Sequence, residues 1–477
     1  MDPAKFFING EFRSSSSKRP VCNPFDNTVV GEVFQAEKSD IEQAVEVAAD
    51  AFGRTRLLTA FDRSLILATI AAGIHEQREK FAQSITAETG KPISFSRTEV
   101  ERSIFTFTVA SEEAKRIEGT VLPLDIAGHS NDRVALVRRF PLGPVAGITP
   151  FNFPLNLVAH KVGPAIASGN SIVLKPSSKA PLVALLLAQV VLKSKLPKGA
   201  FNVVPCLGGE AEQLILDERI KLISFTGSPA VGWRLKSRAG KKRVLLELGG
   251  NAAVIVDRGA NMDYALKRIA QGAYGNAGQS CISVQRIFVH DSLFAQFTEQ
   301  FVKLTKAIAT GNPLNERTVV GPMIDEEAAQ KVHAWIREAE AAGAQVLCGG
   351  KRSGALLHPT VLTGVTPEMK VSCQEVFAPV VTLTSFSDFK DAVSMVNNSS
   401  FGLQAGVFTN DFENVFYAYR ELEVGGVIIN DSSTYRMDHM PYGGVKDSGF
   451  GREGIRYAIE EMTEMKLLGL NFPSTQT

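Results

Sequence analysis

At 477 residues the chain exceeds the length at which one hydrophobic core keeps growing, so it is expected to divide into domains around more than one core. With 51 basic against 50 acidic side chains, its net charge of +1 gives nucleic acid or an anionic membrane no electrostatic reason to bind, and small molecules are the expected partners. There is no stretch near the roughly 18 uninterrupted apolar residues of a membrane span, no signal-peptide pattern in Met1-Asp2-Pro3-Ala4-Lys5, and neither a disulfide framework nor a metal cradle among five scattered cysteines and isolated histidines; a reduced, cytoplasmic protein without a metal is expected.

Residues 39–52 open with a Ser39-Asp40 cap and place Ile41, Ala44, Val45, Val47 and Ala48 at helical spacing, which predicts an amphipathic helix; 63–77 and 98–117 predict two more. The strand-like pieces at 119–140 lack a helical partner. From Pro144 the texture changes to short apolar runs bounded by Gly and Pro. Residues 145–149, 171–174, 201–204 and 222–225 predict buried parallel strands, with helices at 182–193 and 210–216 between them. A second set follows Glu247, with strands at 253–256, 286–290, 380–383 and 425–430 and helices near 293–308 and 326–342.

The expected class is α/β. A Rossmann-like parallel-sheet nucleotide-binding domain takes 1–118 and 141–246, and a second α/β catalytic domain takes 247–440. A small β-flap from 119–140 and 462–477 would pair its two segments and serve oligomerisation, as a homodimer or homotetramer.

Five stretches carry chemistry. Cys281 lies in Gly278-Gln279-Ser280-Cys281 and Glu247 in Leu246-Glu247-Leu248-Gly249-Gly250. A soft nucleophile and a separate carboxylate, each in a glycine-flanked turn, suit a reaction that makes and then hydrolyses a thioester; the alternative for Glu247 is a structural carboxylate capping its turn. In Phe225-Thr226-Gly227-Ser228-Pro229-Ala230-Val231-Gly232 a strand ends in a turn that opens a helix, which fits either a pyrophosphate cradle or a plain capped helix start. It is not a P-loop, since Trp233-Arg234 follows. Leu174-Lys175-Pro176-Ser177-Ser178 places polar groups beyond a buried strand, at a ribose site or in a solvated turn. Asn152, in the stiff loop Pro150-Phe151-Asn152-Phe153-Pro154, is either an oxyanion donor or the side chain of an Asx turn.

Taken together, PFNFPLN (150–156), VLKPS (173–177), FTGSPAVG (225–232), LELGGN (246–251), GNAGQSC (275–281), EVFAP (375–379) and PYGGVKDSG (441–449) resemble the aldehyde dehydrogenase superfamily across nearly the whole chain, in the right order. The resemblance implies a hydrolytic enzyme that is not CoA-acylating. Cys281 attacks an aldehyde, Asn152 and the Cys281 N–H hold the oxyanion, a hydride leaves for NAD(P), and Glu247 activates the water that resolves the thioester. It also implies Lys175 on the adenine-side ribose, Ser228 on the pyrophosphate, Thr226 near the nicotinamide, and Glu375 on the nicotinamide ribose with Phe377 beside it. Thr149, Pro150, Ser177, Ser178, Gly227 and Leu248 complete the cofactor set. Lys446 and Arg452 are expected to pin loops.

Family members that prefer NAD often carry a glutamate three positions after the ribose lysine. Ser178 stands there, with Lys179 next, so NADP is favoured over NAD. The substrate is expected to be a short hydroxylated or anionic aldehyde, such as lactaldehyde or a semialdehyde. The arginine that often precedes the cysteine in members acting on phosphorylated aldehydes is Ser280 here, and the one six positions before it in succinate semialdehyde enzymes is Gly275. An anion fork would instead come from Arg436, with Arg102 or Arg97, and Phe153 would line the pocket; alternatively, Arg436 is paired with a neighbour such as Asp438. The competing readings are a CoA-acylating dehydrogenase, which Glu247 opposes, a cysteine hydrolase, for which neither His160 nor His290 offers a partner motif, and a non-catalytic protein on the same scaffold.

Overall fold

The computed structural model describes residues 2–128, 130 and 132–472. Residues 129, 131 and 473–477, all assigned above to the flap, lie outside the described residues.

The first sheet has eight strands, and its five central ones are parallel. In spatial order they are Phe201–Val203, Ile172–Lys175, Val145–Ile148, Leu222–Thr226 and Arg243–Glu247. In chain order that is third, second, first, fourth, fifth, so the winding reverses between Val145–Ile148 and Leu222–Thr226. Open α/β sheets bind ligands beyond the strand C-termini at such a reversal. Antiparallel strands close both edges, with Phe6–Ile8 and Glu11–Arg13 on one side and Gly449–Phe450 on the other. The strands read as continuous apolar runs because helices cover both faces; Val145–Ile148 and Ile172–Lys175 are buried throughout.

The second sheet has seven strands, in the order Gln345–Cys348, Thr360–Thr363, Val380–Phe386, Arg286–His290, Ala253–Val256, Gln404–Phe408 and Gly426–Ile429, all parallel except the first. The first sheet's last parallel strand ends at Glu247 and the second sheet begins at Ala253, so the five residues 248–252 cross between them. In the flap, Thr463–Asn471 pairs antiparallel with Arg133–Pro141, which in turn pairs with Thr120–Pro123. Pairing satisfies the backbone, but Met465, Leu467, Leu468 and Phe472 stay more than half exposed.

Helices stand where apolar spacing predicts them, with ends displaced by a few residues: Lys38–Thr55, Ala60–Glu76, Ile93–Glu113, Leu182–Leu192, Asp291–Lys306 and Glu326–Ala341. The helix expected over 98–117 starts earlier because Pro92 caps it. The helix Asn156–Ser168 is absent from the sequence reading. It is buried on every side, so it shows no amphipathic period, and Pro164 inside it reads as a breaker.

Its start is held by a buried charge. Glu99, on helix Ile93–Glu113, accepts the N–H groups of Leu155 and Asn156 at 2.9 and 3.2 Å and is ion-paired with Lys91. The Lys91 ammonium lies 4.0 Å from the Phe153 ring centroid. The end of the loop carrying Asn152 is thus tied at Leu155 and Asn156 to a residue 56 and 57 positions earlier in the chain. Lys91→Met or Glu99→Leu alone strands a buried charge and is expected to destabilise the protein by about 3–5 kcal/mol. The double replacement should recover part of that loss. Thermal unfolding checks this, and equal midpoints for single and double variants would count against it.

Candidate active site

Both sheets direct their strand ends at one cavity of about 620 Å³, lined by Cys281, Glu247 and Asn152. Two backbone features allow the approach. A Cβ at Gly250 would lie 2.1 Å from the Cys281 carbonyl oxygen, so only glycine lets the turn after Glu247 pass the turn that carries the cysteine. On the other side, Gly278 has φ +68° and its Cβ would meet the Ala378 oxygen at 2.1 Å, which presses the cysteine turn against the Glu375–Pro379 segment.

Asn152 is 5% exposed; its Nδ2 donates to the Gln279 carbonyl at 3.0 Å and its Oδ1 has no partner among the described residues. The amide has a second N–H to offer a ligand. Both carboxylate oxygens of Glu247 are buried and unpartnered. Burial, followed by the charge of Glu453, raises its carboxyl well above the usual range, which Arg436, Lys161 and Arg452 oppose. Burial also pushes the Cys281 thiol up to about 12, against the hydrogen bond from Tyr442.

Around these three lies a buried set of charges. Lys161, on the hidden helix, donates to Ser224 Oγ at 3.0 Å, Thr226 Oγ1 at 2.8 Å and Glu453 Oε1 at 3.0 Å. Burial alone would raise Glu453, but Lys161, which also donates to it, and Arg436 hold it below its ordinary value. Asp438 accepts two hydrogen bonds from Arg102, at 2.7 and 3.1 Å, and one each from Asn156 Nδ2 at 3.0 Å and His160 Nε2 at 2.9 Å. Burial pushes the His160 pKa down, with Arg436 adding to the effect, so the ring is neutral.

Arg436 does not pair with Asp438, which Arg102, Asn156 and His160 occupy; its neighbouring carboxylate is Glu453 instead. The Arg436 guanidinium stacks on Tyr442, 3.6 Å from the ring centroid, lies 3.8 Å from Glu453 Oε2 and packs 3.4 Å from His160 Nε2. Its side chain is 7% exposed and its Nε has no partner among the described residues. Arg97 is not at the cavity; it is exposed and bound to Glu79 and Glu316.

Of the residues assigned to the cofactor, Pro150, Thr226, Gly227, Ser228, Leu248, Glu375 and Phe377 line the cavity, as do Phe153, Arg102 and Arg436 from the substrate set. Thr149, Lys175, Ser177 and Ser178 lie outside its lining, at the ends of the neighbouring strands, where Thr149 N–H donates to the Lys175 carbonyl at 3.2 Å. Ser178 is exposed, and Lys179 is engaged by Asp325 at 3.0 Å, so the cation beside Ser178 is already paired.

The residues at the reversal fit a dinucleotide. Ser228 precedes the ten-residue helix Pro229–Arg238 and makes no side-chain cap, which leaves its hydroxyl and the first-turn N–H groups for an anion. Glu375, pushed up to about 7 mainly by burial, accepts the Gly250 N–H at 2.9 Å and keeps a second oxygen for a ribose hydroxyl. Among the described residues no cluster of His, Cys, Asp and Glu could hold a metal ion, and no helix is long and apolar enough to cross a membrane.

Sequence reasoning missed Tyr442, Glu453 and Lys161, named Asp438 only as a partner for Arg436, and set His160 aside for want of a partner motif. Tyr442 lay within a quoted motif without a role, and the His160-Lys161 pair lay in the unrecognised helix. Lys446 and Arg452 do bind loop carbonyls: Lys446 those of Asn397 and Ser399, Arg452 those of Gly444 and Gly451.

The model of the aldehyde dehydrogenase family matches residues 12–468, and the chain belongs to that family. It is an NAD(P)-dependent enzyme that oxidises an aldehyde. Among its relatives, a 3-sulfolactaldehyde dehydrogenase of Priestia aryabhattai is 45% identical over 98% of this chain and 97% of the relative. A lactaldehyde dehydrogenase of Methanococcus aeolicus is 39% identical over 98% of this chain and 99% of the relative. The crystal structure of aldehyde dehydrogenase 21 from Physcomitrella patens, in complex with the reaction product succinate, superposes with a TM-score of 0.98 at 44% identity, covering 100% of both chains.

Proposed function

We propose that this enzyme oxidises a short aldehyde carrying a hydroxyl or anionic group to its acid, with Cys281 as nucleophile, Asn152 as oxyanion donor and Glu247 as base. The observation that carries the reading is that all three line one cavity that also holds a buried arginine, Arg436.

The thiol proton passes to Glu247. The sulfur bonds to the carbonyl carbon, and the π pair becomes an oxyanion facing the free Asn152 amide N–H and the Cys281 backbone N–H. Lys175, Ser228 and Glu375 would hold NAD(P)⁺, which would supply the hydride acceptor for that carbon. The oxyanion then closes to a carbonyl, leaving a Cys281 thioester. Glu247 first releases the thiol's proton to solvent, then takes a proton from water as its oxygen attacks, and the C–S bond breaks with its electrons returning to sulfur. Because Glu247 must be ionised for this step and its carboxyl is raised, turnover is expected to rise with pH through its pKa.

Arg436 supplies the anion preference. Arg102 is committed to Asp438, whereas Arg436 has an unpartnered Nε beside the reacting residues. Relatives named for 3-sulfolactaldehyde and lactaldehyde, and a neighbour holding succinate, support a small polar substrate. Ser178 supports NADP over NAD, since a carboxylate there would repel a 2′-phosphate. The exposed apolar flap supports a homodimer or homotetramer. The domain division proposed is 1–118 with 141–246, 247–440, and the flap.

Short aldehydes screened with each cofactor should give reduced cofactor with the wild type and none with Cys281→Ser; a strong preference for NAD would overturn the cofactor reading. Glu247→Gln should give at most a burst, and steady wild-type turnover would remove Glu247 as base. Arg436→Ala should lower the ratio of kcat/KM for anionic over neutral aldehydes by about tenfold or more, the scale of a lost charge-assisted contact. An unchanged ratio would end the anion-site reading. Light scattering should show Leu467→Glu in a smaller assembly than the wild type, and a monomeric wild type would refute the flap's role.

A further inference from the structure

The Cys281 sulfur lies 3.0 Å from the Tyr442 hydroxyl, a contact that takes no part in the mechanism above. Tyr442 is 5% exposed, and its backbone is clasped on both sides to Glu453: each residue's N–H donates to the other's carbonyl, at 3.0 and 2.6 Å. The bridge fixes the backbone that carries the phenol, and burial with Arg436 on the ring face confines the ring beside the sulfur. On its face sits the Arg436 guanidinium, and a cation over the ring draws density from it, which strengthens the O–H as a donor.

The charges facing the sulfur make this donor necessary. Glu375 and Glu247 both oppose formation of a thiolate, and burial opposes it more; Tyr442 and Arg436 are the groups that favour it. Behind Arg436 stand Glu453, Lys161 and neutral His160, which balance among themselves. Burial first, then the sulfur and Glu247, keep the phenol protonated well above its ordinary range, despite Arg436, so it remains a donor wherever the enzyme works.

We propose that Tyr442, backed by Arg436, is a catalytic residue whose hydroxyl donates to the Cys281 sulfur and stabilises the thiolate before it attacks and again when it is expelled from the thioester. This rests on the reading of Cys281 as nucleophile. The phenol keeps its proton throughout. In the attack, the S–C bond forms and the carbonyl π pair moves onto oxygen; in deacylation, the C–S pair returns to sulfur beneath the same O–H.

The test is the rate at which iodoacetamide alkylates Cys281, followed by mass spectrometry, since that rate reports the thiolate without aldehyde or cofactor. At a fixed pH of about 8, Tyr442→Phe is expected to slow alkylation about ten- to a hundredfold, the scale of a hydrogen bond to a charged sulfur. The loss in kcat/KM should be the same for anionic and neutral aldehydes, unlike that of Arg436→Ala. Alkylation of Tyr442→Phe at or above the wild-type rate overturns the proposal, even if turnover falls. Should Tyr442→Phe fail to fold, Arg436→Met serves: slowed alkylation supports the proposal and an unchanged rate overturns it. If wild-type enzyme alkylated at Cys281 still turns over, the nucleophile reading fails instead, a result separate from either outcome for Tyr442.

Discussion

The bare backbone at Gly250 is the constraint on which the site depends. The carboxylate ends the last parallel strand of one sheet and the thiol belongs to a turn feeding the other, so the two reach one cavity only if the intervening turns nearly touch. Any side chain at Gly250 would collide with the Cys281 carbonyl, a collision with backbone that rotamer change cannot relieve. The glycines of LELGGN thus set the distance between two chemical roles. The reversal of strand order then places the nucleotide turn beside both, because Thr226 and Glu247 are register partners on adjacent strands.

Within that geometry the energetics are those of charges withdrawn from water. Lys161, Arg436, Glu453, Asp438 and His160 are buried close to one another, so each buried charge has an opposite charge nearby. Among the buried polar atoms without a partner within the described residues, Glu247 with both oxygens, Asn152 Oδ1 and Arg436 Nε face the cavity. Polar atoms that a folded protein leaves unpaired in its interior mark where a ligand completes the network.

Much of this was legible beforehand. Parallel strands announced themselves as short apolar runs between glycines and prolines, and the chemical motifs were contiguous in sequence. What stayed hidden was assembled across distance. Helix Asn156–Ser168 has no exposed face, so its apolar period vanished and its two titratable residues with it. Tyr442 and Glu453 act through partners far away in sequence, and no spacing rule links either to Cys281. Arg436 was noticed, but its expected partner, Asp438, is claimed by Arg102 from the other end of the chain.

The two empty oxygens of Glu247 have an electrical consequence. With that carboxyl protonated, three buried or half-buried cations, Lys161, Arg436 and Arg102, face two ionised carboxylates, Glu453 and Asp438. One positive charge is left over in a medium of low permittivity. It can be neutralised by a thiolate or by the tail of an anionic substrate, and a second negative charge makes the interior net negative. Arrival of the tail therefore acts against ionisation of the nucleophile, so the order in which substrate enters and sulfur deprotonates is constrained by the count of charges alone.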